Sequence, residues 1–86
     1  MGTHLSTAVT MQADDLVVRC LQRAVPAEQR AWQFFTIHRY ATDEMLGGPF
    51  STMQVAIDLA RRRGAEEGVG VWLETAPDSN DFWKIS

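Results

Sequence analysis

The segment FSTMQVAIDLARRRG, at residues 50–64, constrains the fold more than any other part of the chain. Its apolar residues recur with the period of an α-helix and would form one broad face, with polar residues on the other. Ser51 stands where a helix is capped, Gln54 can complete a capping box, and Gly64 is the residue type at which helices commonly end. The segment predicts one amphipathic helix at about residues 52–63.

Strands are predicted before this helix. RAWQFFTIHRY, at 30–40, alternates in the period of a strand, and both of its faces carry apolar groups. LVVRCLQRAV, at 16–25, fits either a strand or an amphipathic helix. Because Pro26 and the polar run AEQ can connect two strands, we favour a β-hairpin and keep an N-terminal helix at 15–25 as the alternative.

The remaining segments complete the predicted topology. ATDEMLGGP, at 41–49, is expected to be a loop because Gly-Gly-Pro interrupts regular structure, whereas VGVWLE and FWKIS are typical of short strands. The expected order is ββαββ, or αβαββ with the alternative first element. Either order is a single α+β domain at 13–86, in which one helix packs on an antiparallel or mixed sheet. Residues 1–12 show no sustained period and are expected to form a flexible tail.

Composition limits the classes of function. The 86 residues suffice for one domain, and the 8 Lys and Arg against 11 Asp and Glu give a net charge of −3. This balance disfavours non-specific binding to nucleic acid, for which a basic domain is expected. The single cysteine, Cys20, cannot form an internal disulfide and favours a reducing, cytoplasmic compartment. No apolar run approaches the roughly 20 residues that span a membrane, so we expect no membrane association.

The three arginines at 61–63 are the densest charge run in the chain. Asp58 precedes Arg61 and Arg62 at the spacing of helical ion pairs, and Glu66 and Glu67 follow the run. The run is therefore expected to be a charge-balanced helix end. Arg61 and Arg62 are kept as part of a possible interaction surface, and nucleic-acid binding through this basic end is kept as a third hypothesis.

Few residues could support catalysis or hold a metal. Cys20 and His38 could act as nucleophile and base, but nothing in the sequence brings them together. The spacings that zinc, calcium and dinucleotide sites require are missing. We therefore expect no enzymatic activity, no catalytic residues, no cofactor and no metal.

The large aromatic residues suggest an interaction surface. One helix covers one face of a sheet, so Trp32, Trp72 or Trp83 on the uncovered face would form an exposed patch of the kind that binds partners. The leading hypothesis is a protein–protein interaction or accessory module that acts as a homodimer, with the last strand as one possible pairing edge. The alternative is a small-ligand pocket between helix and sheet, lined by Trp72, Phe34 and the loop at 43–50.

Three short patterns run along residues 16 to 74: V-x-R, W-x-x-F-x-I-x-R and G-x-F-S-T-x-x-x-A-x-x-x-A. Their layout resembles small bacterial ββαββ-type domains of unknown function. The matching residues are Val17, Arg19, Trp32, Phe35, Ile37, Arg39, Gly48, Phe50, Ser51, Thr52, Ala56 and Ala60. The resemblance implies a bacterial origin and a hairpin–helix–hairpin fold, and it implies no activity and no functional residues.

Overall fold

A computed structural model of the protein describes residues 11–25, 27, 30–77 and 79–86. These residues form one compact α+β domain with one helix and a five-stranded mixed sheet. The predicted tail at 1–12 lies almost entirely outside the described residues. The elements in chain order are β1 (Leu16–Val25), β2 (Arg30–Arg39), β3 (Met45–Phe50), α1 (Met53–Glu67), β4 (Val71–Glu74) and β5 (Phe82–Lys84).

The five strands lie side by side in the order β3-β2-β1-β4-β5. Strands β1 and β4 run parallel, and all other neighbours run antiparallel. At the centre, Val18 of β1 lies opposite Ile37 of β2 and opposite Leu73 of β4. The connection β3–α1–β4 passes from one edge of the sheet to the far side of β1, so the helix crosses a single face of the sheet.

The predicted hairpin is confirmed, and the alternative helix at 15–25 is wrong. All ten residues of β1 pair with β2 in an unbroken antiparallel register, from Leu16 opposite Arg39 to Val25 opposite Arg30. A strand is favoured here because alternate side chains meet different surroundings: Leu16, Val18 and Cys20 lie in the core, whereas Arg19 and Leu21 point to the opposite face.

The expected order ββαββ is incomplete, because 45–50 forms an additional strand, β3, where a loop was predicted. Two register shifts interrupt its pairing with β2. Gly48 has a φ of 104°, and a Cβ at this position would lie 2.8 Å from the carbonyl oxygen of Phe35. An edge strand pairs on one side only, so it tolerates the Gly-Gly-Pro sequence that suggested a loop.

The start of α1 differs from the prediction. Thr52 is the N-cap residue, not Ser51, and its side chain makes no capping hydrogen bond. The predicted capping box between Ser51 and Gln54 is therefore not formed.

The end of α1 also differs from the prediction, because the helix continues one turn past Gly64. Gly68 is the C-cap residue, with a φ of 72° and its N–H directed at the carbonyl of Gly64. Gly64 is buried against β4, where an added Cβ would overlap Cγ2 of Val71. The glycine thus serves close packing of helix on sheet, and the arginines at 61–63 lie before the last turn.

The hydrophobic core lies between α1 and one face of the sheet. Its buried members are Leu16, Val18, Cys20, Phe35, Ile37, Ala56, Ala60 and Val71. Because strand residues alternate between faces, their neighbours in sequence point to the opposite side. Within the part of the chain that the structure describes, no helix packs on that opposite side, which we call the uncovered face. No helix of the described residues is long and apolar enough to cross a membrane.

Candidate functional site

The uncovered face carries an apolar group at the far end of the β1–β2 hairpin. Leu21 lies directly opposite Phe34, and Trp32, two pairs further along the hairpin and on the same face, lies opposite Arg23. Leu21 is 38% exposed and Trp32 is 42% exposed, whereas Phe34 is half-buried. We call Leu21, Trp32 and Phe34 the aromatic patch. It is a contiguous apolar surface on a sheet face that α1 does not reach.

A polar network occupies the middle of the same face. Oγ1 of Thr36 lies 2.7 Å from Nε2 of His38, and Nδ1 of His38 lies 3.0 Å from the carbonyl oxygen of Asp43. Nε of Arg19 donates to Oδ1 of Asp43 at 3.1 Å, and its Nη1 donates to Oε2 of Glu74 at 3.3 Å. The guanidinium of Arg19 therefore joins two carboxylates from different parts of the chain.

Glu74 is a buried acidic residue, with a relative exposure of 2%. Its Oε2 also accepts from the backbone N–H of Asn80 at 3.2 Å, but its Oε1 accepts no hydrogen bond from a described residue. The ring of Phe82 lies 5.6 Å from the guanidinium of Arg19, and Tyr40 contacts that ring edge-on. Glu74 thus depends on Arg19 to compensate its charge.

The three tryptophans do not form one surface. Trp32 lies in the aromatic patch, and Trp83, 59% exposed, lies opposite Leu73 and therefore on the α1 side of β5. Trp72 is 2% exposed and contributes to no surface. It faces away from α1 and is covered at the start of β1, where its Nε1 donates to Oδ2 of Asp15 at 2.9 Å.

Asp15, immediately before β1, is a buried hydrogen-bond acceptor that no sequence pattern singled out. Its carboxylate also accepts from the backbone N–H groups of Gln12 and Gly70, each at 3.0 Å. Burial raises the pKa of this carboxyl, but the hydrogen bonds from Gln12, Trp72 and Gly70 outweigh burial and hold the pKa below its usual value of 3.8. No local sequence pattern predicts this role, because two of its partners, Gly70 and Trp72, lie 55 and 57 residues further along the chain.

The ion pairs predicted for Asp58 do not form. Asp58 accepts instead from Nε2 of Gln54 at 2.8 Å. Nη2 of Arg61 donates to the carbonyl of Ile85 at 3.3 Å. Arg62 makes no hydrogen bond or ion pair with another described residue. The two arginines predicted as a surface therefore have different surroundings.

Arg63 belongs to a cluster around Glu67. Nε of Arg63 and Nη1 of Arg39 donate to the two carboxylate oxygens of Glu67, at 2.7 Å and 2.8 Å. The hydrogen bond from Arg39, followed by that from Arg63, lowers the pKa of Glu67 to about 2. The cluster ties the C-terminal half of α1 to the end of β2.

A groove of about 600 Å³ lies beside this cluster, between α1 and strands β2 and β3. It differs from the pocket expected between helix and sheet, because Trp72 and Phe34 face the opposite side of the sheet. The residues that line the groove are Ile37, Leu46, Gly47, Phe50, Leu59, Arg62, Arg63, Glu66 and Glu67. We call it the β3 groove. Its floor is apolar and its rim is charged.

The structure does not bring Cys20 and His38 together. Cys20 lies in the core under α1, and His38 points to the uncovered face. Burial, followed by the negative charge of Glu74, raises the pKa of the Cys20 thiol. Among the residues described, no three His, Cys, Asp or Glu side chains are grouped as metal ligands would be.

Comparisons of this chain with protein-family models, with curated proteins and with solved structures found no match. The resemblance to small bacterial domains and the bacterial origin that it implies therefore stay expectations. Two surfaces of the described residues are candidates for a function, the aromatic patch and the β3 groove.

Proposed function

We propose that this protein is an interaction or accessory module that self-associates through its uncovered sheet face and acts by contact rather than by catalysis. The observation that carries the proposal is the aromatic patch, where Leu21, Trp32 and Phe34 adjoin on a face that α1 leaves open. Exposed apolar groups gathered in one place are typical of partner surfaces.

The composition of the patch supports this role. Trp, Tyr and Arg are the residues that contribute most to binding energy at interfaces, and Trp32 lies directly opposite Arg23. Two sheet faces pack about 10 Å apart, and a face that meets its own copy around a two-fold axis needs no second, complementary surface. The polar network around Arg19 would lie beside the apolar contact.

Pairing through the sheet edges has less support. Strand β5 has only three residues, and the N–H groups of Ile85 and Ser86 are already directed at the carbonyl of Val71. Strand β3 carries Pro49 and two register shifts. Proline and irregular pairing are features that protect edges from strand addition. Contact between faces is therefore the proposed mode, rather than pairing through the last strand.

The mass in solution tests the proposal. Sedimentation equilibrium over a wide range of concentrations should show a dimer that dissociates on dilution. Leu21→Glu places a charge within the patch and should yield a monomer. Val55→Glu is the control, because Val55 is also apolar and is 47% exposed but lies on α1. A wild-type monomer at every concentration, or equal effects of both substitutions, would refute the proposal.

A cytoplasmic location is part of the proposal. It is supported by the single thiol, which is buried and has no cysteine partner in this chain. Nucleic-acid binding through Arg61 and Arg62 remains the third hypothesis. No observation favours it, because Arg61 is engaged by Ile85 and the neighbouring Arg63 by Glu67.

A further inference from the structure

The β3 groove lies on the opposite side of the sheet from the aromatic patch. Its floor consists of Ile37 from β2, Leu46 and Phe50 from β3, and Leu59 from α1. Leu46 and Phe50 are half-buried, and Leu59 is exposed. A volume of about 600 Å³ is within the range of sites for small molecules. A groove of this kind accepts an apolar chain or ring from the open side.

Two arginines and two glutamates line the rim, and Arg39, which lies beside the groove, also pairs with one of these glutamates. Arg39 and Arg63 share the single carboxylate of Glu67, which leaves one positive charge in that cluster. Glu67 stays ionised at neutral pH, because both guanidiniums lower its pKa to about 2. Arg62 and Glu66 add one charge of each sign, and neither is paired with another described residue. The charges of the lining residues therefore sum to zero, but Glu67 is already compensated by two guanidiniums, so Arg62 and Glu66 are the charged lining residues without a described partner.

Arg62 is the group on the rim that is open to a ligand. It lines the groove, it lies on the helix one turn from Leu59, and its five N–H donors have no described acceptor. A guanidinium matches the two oxygens of a carboxylate in a bidentate arrangement. An anion held by Arg62 would have its apolar part directed towards Leu59 and the floor.

We propose that the β3 groove binds an amphipathic monocarboxylate, a small molecule with one carboxylate on an aliphatic or aromatic tail. The tail lies on the floor formed by Ile37, Leu46, Phe50 and Leu59, and the carboxylate pairs with Arg62. This site does not depend on self-association, because the aromatic patch is on the other face. Glu66 opposes the ligand's charge and limits its affinity.

Binding of octanoate to the isotope-labelled protein tests the proposal by NMR. The backbone amides of Leu46, Gly47 and Leu59 should shift in a saturable manner. Octanol and octylammonium carry a neutral or a positive head on a tail one methylene longer than that of octanoate, so weaker binding of octylammonium cannot be due to a shorter tail. Octylammonium should bind at least about fivefold more weakly than octanoate, as expected for losing an exposed ion pair and meeting a like charge.

Three substitutions identify which charged side chains act on the carboxylate of the ligand. Arg62→Gln should weaken octanoate binding about fivefold and leave octanol binding unchanged, whereas Glu66→Gln should strengthen octanoate binding. Arg61→Gln is the matched control, because it removes the same charge from a neighbouring arginine that does not line the groove. Absence of saturable octanoate binding would overturn the site. Equal affinity for the three heads, or equal effects at Arg61 and Arg62, would overturn the assignment of the carboxylate to Arg62.

Discussion

Replacement of Asp15 by asparagine tests whether one buried carboxylate holds the start of β1 to β4. In the native protein Oδ2 accepts from the N–H of Gln12 and from Nε1 of Trp72, and Oδ1 accepts from the N–H of Gly70. Asparagine has the same shape but only one acceptor atom. Its best orientation keeps the oxygen near Gln12 and Trp72, which places the amide NH₂ against the N–H of Gly70.

The expected cost follows from these three contacts. A hydrogen bond to a charged group contributes about 1.5–3 kcal/mol, a neutral one contributes about 0.5–1.5 kcal/mol, and a buried donor without an acceptor costs about 1–3 kcal/mol. Two weakened bonds and one lost bond are partly offset by the burial of one charge fewer. We therefore expect Asp15→Asn to lower the free energy of unfolding by about 2–4 kcal/mol at neutral pH.

Urea denaturation measures this loss, with Asp14→Asn as the control. Asp14 is the adjacent residue, it is exposed, and Arg39 bonds to its backbone carbonyl rather than to its carboxylate. The control should therefore change stability by less than about 0.5 kcal/mol. If the two substitutions cost the same, the three hydrogen bonds do not stabilise the fold as argued.

The pH dependence provides a second check. The pKa of Asp15 is lower in the folded protein than its ordinary value of 3.8. Its stabilising contribution is therefore complete above the unfolded pKa and is lost as the pH falls through the folded pKa. The stability difference between wild type and Asp15→Asn should be constant from about pH 5 to pH 8 and should narrow below about pH 4. A difference that persists unchanged in acid would contradict an ionised Asp15.

Three further predictions concern buried groups. Arg19→Met should lower the free energy of unfolding, measured in urea, by about 2–3 kcal/mol, because Glu74 loses its ion pair. The double variant Arg19→Met, Glu74→Met should recover most of that loss, and single-variant losses that simply add in the double variant would contradict the ion pair. Gly64→Ala should lower the free energy of unfolding by about 1–2 kcal/mol, although alanine has a higher helix propensity than glycine, because the new methyl group overlaps Val71. A more stable variant would show that the helix can move to relieve this overlap. Cys20 should react with a thiol-specific disulfide reagent far more slowly in the native protein than in denaturant, and equal rates would show that the core opens readily.

The sequence was sufficient to predict the elements whose signals are local. The alternation in β2 and the turn chemistry after Val25 predicted the hairpin, and the helical period predicted α1. Strand β3 was missed because its pairing with β2 is a tertiary contact, whereas the Gly-Gly-Pro sequence is a local signal for a break. The end of α1 was missed for a similar reason. Gly64 looks like a cap, but its small size is needed for contact with Val71.

The candidate site was predictable only in part. No helix among the described residues packs on the face that carries Trp32, but that face is not open throughout, because Val17, Thr36 and Trp72 on it are buried. The local sequence does not distinguish Trp72 from Trp32, because both lie in segments where apolar and polar residues alternate as in a strand. What buries Trp72 is its position on β4, beside the start of β1, where Asp15 accepts from its indole N–H. The sequence does not show that Arg62 differs from Arg61 and Arg63. The difference appears only in the structure, where Arg61 donates to Ile85 and Arg63 to Glu67.

The position of the β3 groove follows from the way in which α1 meets the sheet. Because Gly64 has no side chain, the C-terminal half of the helix lies close to Val71 of β4. The side chains on its other flank, among them Leu59 and Arg62, then border the space above β3 instead of filling it. A methyl group at position 64 would overlap Cγ2 of Val71, and relief of this overlap by a shift of the helix would change the distance between Leu59 and the groove residues of β3. Gly64→Ala should therefore weaken binding of octanoate and of octanol alike, whereas loss of the Arg62 guanidinium affects only the anion.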